Sequence, residues 1–171
     1  MKKQKYGSDS ETDVSDLAYE LTYHRYLLSK GKVKDLFTEL PVAEYIALVN
    51  IARNTPKESI RTHKTYLKEL AERMELSIHS ISKMVSKLKE KGLVLWSHDG
   101  NGSEGTYIVI TETGLNALHT QEKILKNYYQ EVIERVGRDR LVHIIEELQT
   151  LKSVMEYIDA GGSDIERNET E

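Results

Sequence analysis

Cysteine is absent from the 171 residues of this chain. Disulfides, thiolate metal sites and cysteine-based redox sensing by the chain are therefore excluded, and a reducing cytoplasm is the expected compartment. Long apolar runs are absent too, since no stretch approaches the roughly 18 residues that a membrane-spanning helix needs. The start at Met1 leads into polar residues rather than the apolar region of a signal peptide. We therefore expect a cytoplasmic protein with no membrane partner.

Motifs for catalysis and cofactor binding are also missing. No glycine-rich loop precedes a helix that could hold a phosphate, because the glycines from Gly100 to Gly105 lie between two strand-like runs. No nucleophile motif occurs, and no spacing sets two carboxylates in a cleft. The sequence predicts neither an enzyme nor a protein with a bound cofactor.

Six histidines suggest a metal site, but none of them belongs to a ligand motif. The spacing His-x-x-x-His does not occur, so any site would be assembled from histidines and carboxylates that are distant in sequence. Surface or pH-titrating histidines are the simpler interpretation, and no metal site is predicted. The six are His24, His63, His79, His98, His119 and His143.

Length and charge indicate one main domain with an uneven surface. With 171 residues and 39% hydrophobic content, the chain can bury one sizeable core. The formal charge is −4, yet between Pro56 and His98 nine basic residues outnumber five acidic ones, so this segment carries +4 and the remainder −8. The asymmetry fits a basic DNA-binding part on an acidic body, although a mixed, solvated helical surface would give the same count.

Polar segments are expected to flank a single domain. Residues 1–13 and 161–171 contain few apolar side chains, and the second segment is acidic. Neither segment can bury enough apolar surface to fold by itself, so we predict disordered tails on both sides of a domain at 14–160.

Amphipathic helices are predicted at both ends of this domain. The segment 14–30 repeats apolar residues on two faces, one with leucines and one with tyrosines, so this helix needs two partners. The segment 112–160 has helical periodicity that Gly137 interrupts, which predicts two long helices. These helices have more apolar surface than one small domain could cover, which favours a dimer, although a monomeric bundle is the alternative.

A further helix is predicted from Pro41, because proline suits the first turn of a helix. The apolar residues that recur there at helical spacing are Val42, Tyr45, Ile46, Val49 and Ala52. A polar link at 54–64 follows.

A helix-turn-helix is predicted after this link. A short helix that begins at Thr65 or Tyr66 is followed by the turn 75–77, and Ser77 caps a second helix that ends at Gly92. Facing apolar residues lock two such helices into a stiff unit. The first helix contributes Leu67, Leu70, Ala71 and Met74. The periodicity of the second places inward Ile78, Ile81, Val85 and Leu88.

Two strand-like runs, 93–97 and 106–110, follow the second helix. The segment between them holds Gly100, Gly102 and Gly105, which suit a flexible hairpin. This hairpin is the candidate wing. Together with the helices it predicts a mostly α (α+β) fold, with a winged helix-turn-helix at about 65–111.

The outward face of the second helix has the chemistry of a DNA-binding surface. Short hydrogen-bonding groups lie near its N-terminal end, and cations lie further along. A major groove admits one helix, whose N-terminal residues reach base edges while lysines meet phosphates. A face that is polar for solubility alone would contain the same residue types, but the helix-turn-helix and hairpin together favour DNA. The predicted DNA-binding residues are Lys64, Lys68, Ser77, His79, Ser80, Ser82, Lys83, Ser86, Lys87, His98, Asn101 and Ser103.

Three pieces of this region resemble the MarR family of bacterial regulators: 68–74 (KELAERM), 85–94 (VSKLKEKGLV) and 110–114 (ITETG). They occur in the family's order, and 40–45 (LPVAEY) is similar to the start of the family's preceding helix, so the similarity covers about 14–158. The resemblance implies a homodimer in which the N- and C-terminal helices of two chains intertwine and two winged helices bind one pseudo-palindromic operator. A repressor role is likewise an implication of the resemblance.

The resemblance also implies a small aromatic or anionic effector at the dimer interface. The predicted pocket residues are Tyr19, Tyr23, Tyr26 and Tyr45. Packing at the interface is the simpler use of these side chains, as it is for Tyr128 and Tyr129, and both interpretations stay open.

One departure from the family lies in the wing. Family members usually carry an arginine there, after an aspartate, that enters the minor groove, whereas no arginine follows Asp99 in this wing. Either Asn101 and His98 make weaker contacts or the wing touches only the DNA backbone. Weaker readout of narrow A·T tracts is therefore predicted.

Two functions are compatible with the sequence. The first is a sequence-specific, homodimeric transcriptional regulator that binds double-stranded DNA. The alternative is a winged-helix protein-interaction module, in which the serine and lysine face binds a protein and not DNA. Salt dependence separates them, because DNA binding through several lysines weakens steeply as the salt concentration rises.

Overall fold

The computed structural model describes residues 14–53, 64–98 and 105–161. Contacts within the chain separate two compact units, Met1–Leu118 and His119–Glu171. The first unit holds a small sheet with its helices, and the second holds most of one long helix and all of the last helix. No helix in the described ranges is long and apolar enough to span a membrane.

The first two helices lie close to their predicted positions. Helix α1 spans Val14–Ser29 and has no buried residue. A short 3₁₀ helix at Lys32–Leu36, which the sequence did not predict, follows it. Helix α2 (Val42–Arg53) begins directly after Pro41, whose carbonyl accepts a hydrogen bond from the Tyr45 N–H at 2.9 Å.

The buried face of α2 differs from the predicted stripe. Ala47, Leu48 and Ile51 are buried. Apolar side chains occupy most positions of this helix, so its sequence contains two overlapping stripes, and packing against the sheet and the next helix selects one. The helical spacing therefore identified the helix but not which of its two stripes is buried. The residues of the predicted stripe, which are exposed or only partly buried, are Val42, Tyr45, Ile46, Val49 and Ala52.

A two-residue strand precedes the helix-turn-helix. Strand β1 (Thr65–Tyr66) pairs antiparallel with β3 (Thr106–Ile110), and helix α3 begins only afterwards, at Leu67–Met74. The prediction that α3 begins at Thr65 or Tyr66 was therefore wrong. Pairing with residues 41 and 43 positions away in sequence keeps these two residues extended, and no local pattern encodes that pairing.

Helix α4 (Ile78–Glu90) ends at the predicted glycine. Gly92 has a φ of 71°, and its N–H donates to the Lys89 carbonyl at 2.8 Å. The Leu93 N–H donates to the Leu88 carbonyl at 2.9 Å. These two bonds form a glycine C-cap, which satisfies carbonyl groups at the end of the helix.

The two paired strands of the hairpin are confirmed, with the first strand shifted by one residue at both ends. Strand β2 (Val94–His98) pairs antiparallel with β3, from Val94 opposite Ile110 to His98 opposite Thr106. Strand β3 lies between β1 and β2 in the sheet. The predicted tip of the wing, 99–104, lies outside the described residues.

One apolar core joins α2, α3, α4 and the sheet. Burial of a large aliphatic side chain contributes about 2 kcal/mol, so this core is the main source of stability in the first unit. Its buried members are Leu40, Ala47, Leu48, Ile51, Leu67, Leu70, Ala71, Ile81, Val85, Leu88, Leu93, Val94, Ile108, Ile110 and Leu118.

Two long helices follow the sheet, as predicted. Helix α5 spans Glu112–Val136 and helix α6 spans Arg138–Asp159, with Gly137 at a φ of 90° between them. No residue of α6 is buried. The two predicted tails lie outside the described residues, except for Gly161.

Candidate nucleic-acid interface

Helix α4 is held on one side by the core. Ile81, Val85 and Leu88 are fully buried, and α3, which packs against α4, contributes the buried Leu70 and Ala71. Rotation of α4 about its axis would expose all three of its buried side chains, at a cost of about 2 kcal/mol each. The predicted locking of the two helices is therefore confirmed, and the other face of α4 has a fixed direction.

The N-terminal end of α4 is capped as predicted. The Ser77 Oγ accepts a hydrogen bond from the Ser80 N–H at 3.2 Å and lies 2.9 Å from the Ser80 Oγ. Before it, Glu75 adopts the left-handed conformation with a φ of 54°, and the Leu76 N–H donates to the Ala71 carbonyl at 3.0 Å. This turn joins α3 to α4, and the Ser77 cap satisfies a backbone N–H in the first turn of α4.

The outward face of α4 is open to solvent and bears positive charge. No acidic residue occurs in its first turn, and its last turn contains basic residues. Positive side chains and the N-terminal end of a helix both favour contact with anionic groups. Ser82 and Ser86 are half-buried at the edges of this face. Its exposed predicted residues, here called the α4 face, are Ser77, His79, Ser80, Lys83 and Lys87.

The two predicted phosphate-binding lysines outside α4 lie in different surroundings. The Lys64 Nζ is 4.2 Å from the centre of the Tyr107 ring, a cation–π contact that connects the lysine to β3. Lys68, on α3, lies in an open depression that Glu69 and Glu72 also line. Two nearby carboxylates reduce the attraction of Lys68 for a phosphate, so Lys64 is the better placed of the two.

The base of the predicted wing is connected across the hairpin. The His98 Nδ1 lies 3.1 Å from the Thr106 Oγ1, and these two residues also face each other in the strand register. Asn101 and Ser103 lie outside the described residues. The hypothesis of weaker minor-groove contacts by the wing therefore stays a prediction.

An ion pair that the sequence analysis missed connects α2 to the end of α4. The Lys91 Nζ donates to the Glu44 Oε2 at 2.7 Å, and Glu44 is largely buried. Glu44 occupies the buried stripe of α2, beside Ala47 and Leu48, and an acidic residue within an apolar stripe was the available signal. A buried carboxylate needs a charged partner, which here is the C-terminal cap of α4.

A second junction connects the end of α4 to the start of α5. The Thr111 Oγ1 donates to the Gly92 carbonyl at 2.7 Å and accepts from the Gly114 N–H at 2.9 Å. A Cβ atom on Gly114 would lie 2.1 Å from the Leu93 carbonyl oxygen, so only glycine allows this close approach. The segment 110–114 thus fixes the first turn of α5 beside the glycine that ends α4.

One predicted core residue of α4 lies outside the core. Ile78 was predicted to face inward with Ile81, but its side chain is 53% exposed. Helical periodicity gives only the direction of a side chain, and the core ends before it reaches the first residue of α4. The neighbouring Leu76, in the turn, is also exposed.

The tyrosines predicted to line an effector pocket occupy two elements. Tyr19, Tyr23 and Tyr26 are exposed on α1, where the rings of Tyr19 and Tyr23 stack with centres 5.8 Å apart. Tyr45, on α2, is partly buried, and its ring centre lies 5.7 Å from that of Phe37. The effector pocket stays a prediction.

Histidine and carboxylate side chains form pairs on two helices. On α6, His143 lies 3.9 Å from a Glu146 oxygen and 3.7 Å from a Glu147 oxygen, with all three side chains exposed. On α1, the His24 Nε2 lies 3.4 Å from a Glu20 oxygen. Within 14–53, 64–98 and 105–161, no group of three such residues has the geometry to hold a metal ion.

No protein-family model and no curated protein sequence matches the chain. Solved structures of transcriptional regulators do match. The regulator BldR from Sulfolobus solfataricus is 20% identical with a TM-score of 0.61, over 82% of this chain and 98% of that chain. A MarR-family regulator from Rhodococcus sp. RHA1 is 20% identical with a TM-score of 0.63, over 82% of this chain and 95% of that chain. A mutant MarR from E. coli complexed with operator DNA is 15% identical with a TM-score of 0.63, over 82% of this chain and 99% of that chain.

These similarities cover more than four fifths of the chain and nearly all of each matched structure. At identities of 20% or less, the fold is the shared property. The resemblance inferred from three short pieces of sequence is thus confirmed for the architecture: this chain has the winged helix-turn-helix fold of the MarR-family transcriptional regulators.

Proposed function

We propose that the chain is a sequence-specific, DNA-binding transcriptional regulator that acts as a homodimer and represses transcription from a pseudo-palindromic operator. The α4 face enters the major groove, with His79, Ser80 and Lys83 near base edges and Lys87 near phosphates. Lys64 and the hairpin meet phosphates beside the groove. Among solved structures of the same fold, a mutant MarR from E. coli is complexed with operator DNA.

One observation carries this proposal: α4 is buried on one side and exposed on the other. Its buried side chains fix its orientation, and the exposed α4 face combines hydroxyls, an imidazole and lysines, with no carboxylate in the first turn. A helix that is oriented by a rigid unit and presents donors and cations has the properties that major-groove recognition requires.

Exposed apolar side chains support the homodimer. No residue of α1 or α6 is buried, although α1 is rich in leucine and tyrosine and α6 is rich in leucine, isoleucine and valine. Large exposed apolar surface indicates an association site, and twofold pairing of identical chains is the commonest way to cover it. A dimer also presents two α4 helices, as a pseudo-palindromic site requires.

A small aromatic effector completes the proposal. Solved structures of this fold include the regulator BpsR from Bordetella bronchiseptica, whose DNA binding is regulated by 6-hydroxynicotinic acid, and the organohalide-sensing RdhR bound to 2,4-dichlorophenol. In this chain the exposed rings of Tyr19, Tyr23 and Tyr26 offer aromatic contacts to such a ligand. A phenol or aromatic acid that weakens the DNA complex of the wild type, but not that of Tyr23→Ala, would support this assignment; no effect from any such compound would contradict it.

The test of DNA binding begins with sequencing the genomic DNA fragments that the purified protein retains. The Lys83→Ala/Lys87→Ala variant should lose most of its affinity for the selected site. It should also lower the slope of log affinity against log salt by about one for each lysine that meets a phosphate. In a reporter strain, the same variant should release transcription from a promoter that carries the site.

A matched control separates groove contacts from net charge. Lys123 and Lys126 are exposed lysines of α5, and replacing both with alanine removes the same charge as the α4 variant. This control should bind like the wild type. If both variants weaken binding equally, or if the α4 variant binds normally, then α4 does not read DNA. If the wild type retains no DNA, a winged-helix protein-interaction module becomes the better interpretation.

A further inference from the structure

An apolar side chain stands at the tip of the helix that presents the α4 face. Among the described residues from 64 to 118, the large hydrophobic side chains that are exposed are Leu76, Ile78 and Leu95. Leu76 lies in the turn before α4, and Ile78 is the first residue of α4. The large apolar side chains that are exposed on the helix-turn-helix therefore lie at the N-terminal end of α4.

The residues around Ile78 suit an anionic partner, and Ile78 itself suits an apolar group on that partner. Ser77 precedes it and caps the helix, His79 follows it and is exposed, and no carboxylate occurs in the first turn. A phosphate or a base edge with donors and acceptors does not fit an isoleucine side chain. In the major groove, the apolar group that projects from a base edge is the C5 methyl of thymine.

Resting on the DNA-binding function proposed above, we propose that Ile78 is a specificity-determining residue that contacts the C5 methyl of a thymine. Each half-site of the operator then contains a thymine at one fixed position, opposite the N-terminal end of α4. The hydroxyl and imidazole groups beside Ile78 bind neighbouring bases by hydrogen bonds, and Ile78 rejects cytosine and the purines at its own position, because they lack this methyl.

The test pairs a change in the protein with a change in the DNA. In the site selected by the wild-type protein, each thymine is replaced in turn by uracil, which removes one methyl group and keeps base pairing. One position per half-site should then weaken wild-type binding by about fourfold, the effect of losing one buried methyl group. Ile78→Ala should bind the thymine site at least fourfold more weakly and show no further loss with uracil at that position.

Two further variants complete the design. Ile78→Val keeps a branched apolar side chain and should keep part of the uracil effect. Leu95→Ala removes an exposed apolar side chain from β2 and should keep the full uracil effect. Because Ile78 is exposed at the first residue of α4, alanine there should leave the thermal unfolding midpoint unchanged, which circular dichroism checks.

The outcomes are distinct. A uracil effect that disappears in Ile78→Ala alone supports the contact. If the wild type binds its site but no uracil substitution weakens binding, or if Ile78→Ala keeps the full effect, then the contact is refuted and DNA binding stands. If Ile78→Ala loses dimer mass in light scattering without DNA, a second copy of the chain covers Ile78, which also refutes the contact. If the wild type retains no DNA at all, the proposed function fails first.

Discussion

At the scale of single residues, Thr65 is a buried hydroxyl without a hydrogen-bond partner among the described residues. Its side chain is fully buried at the start of β1, next to the core. A buried polar group that is left unpaired costs roughly 1–3 kcal/mol, whereas valine has nearly the same shape and suits a strand equally well. Thr65→Val should therefore raise the free energy of unfolding in urea by about 1 kcal/mol.

Thr111 is the matched control, because its hydroxyl makes two hydrogen bonds. The Thr111 Oγ1 donates to the Gly92 carbonyl and accepts from the Gly114 N–H. Thr111→Val removes both and should lower the free energy of unfolding by about 1–2 kcal/mol. If Thr65→Val destabilises the protein as much as Thr111→Val does, the hydroxyl of Thr65 is paired in solution and the prediction is wrong.

At the scale of elements, the ion pair between Glu44 and Lys91 positions the end of α4 against α2. The Glu44 side chain is 10% exposed and that of Lys91 is 41% exposed, so the pair is screened less than a surface pair but is not deeply buried. A double-mutant cycle with Glu44→Gln and Lys91→Met should give a coupling energy of about 1 kcal/mol in urea unfolding.

The same variants show whether Lys91 positions α4 through Glu44 or contacts DNA directly. Lys91 already binds Glu44, so Lys91→Met should leave the salt dependence of DNA binding unchanged, in contrast to Lys87→Ala. Glu44→Gln and Lys91→Met should weaken the DNA complex by similar factors, because each substitution breaks the same ion pair and frees the same end of α4. A smaller salt slope for Lys91→Met alone would mean that Lys91 meets a phosphate, which contradicts a positioning role.

At the scale of the whole molecule, the exposed leucines of α6 test the homodimer. Leu148 is 56% exposed, so glutamate at this position should leave an isolated chain folded. In a dimer that covers this face, the same substitution buries an unpaired charge, which costs several kcal/mol. Leu148→Glu should therefore lower the mass in light scattering from about twice 19.7 kDa toward 19.7 kDa, with unchanged helical circular dichroism.

Gln149→Glu serves as the control for this experiment. Gln149 is also exposed on α6, and the substitution adds the same charge next to Leu148 without removing an apolar side chain. It should keep the mass and the DNA affinity of the wild type. A Leu148→Glu protein that stays dimeric would show that this part of α6 is not in the interface, and a wild type of 19.7 kDa would refute the homodimer.

The sequence alone determined the features that depend on near neighbours in the chain. Ser77 was identified as a helix cap and Gly92 as a helix end, because caps and left-handed glycines act within one helical turn. Gly137 was identified as the break between two long helices for the same reason. The inward direction of Ile81 and Val85 follows from helical periodicity. The outward direction of the α4 face follows in turn from the inward direction of these two residues.

Tertiary structure decided whatever depends on residues far away in sequence. Thr65 is in a strand only because β3 pairs with it, and Ile78 is exposed because the core ends before reaching it. Glu44 meets Lys91 across 47 positions, and packing against the sheet selects the buried stripe of α2. Local propensities differ by a few tenths of a kcal/mol per residue, whereas pairing and burial contribute one to three kcal/mol at a single position, so distant contacts prevail wherever the two disagree.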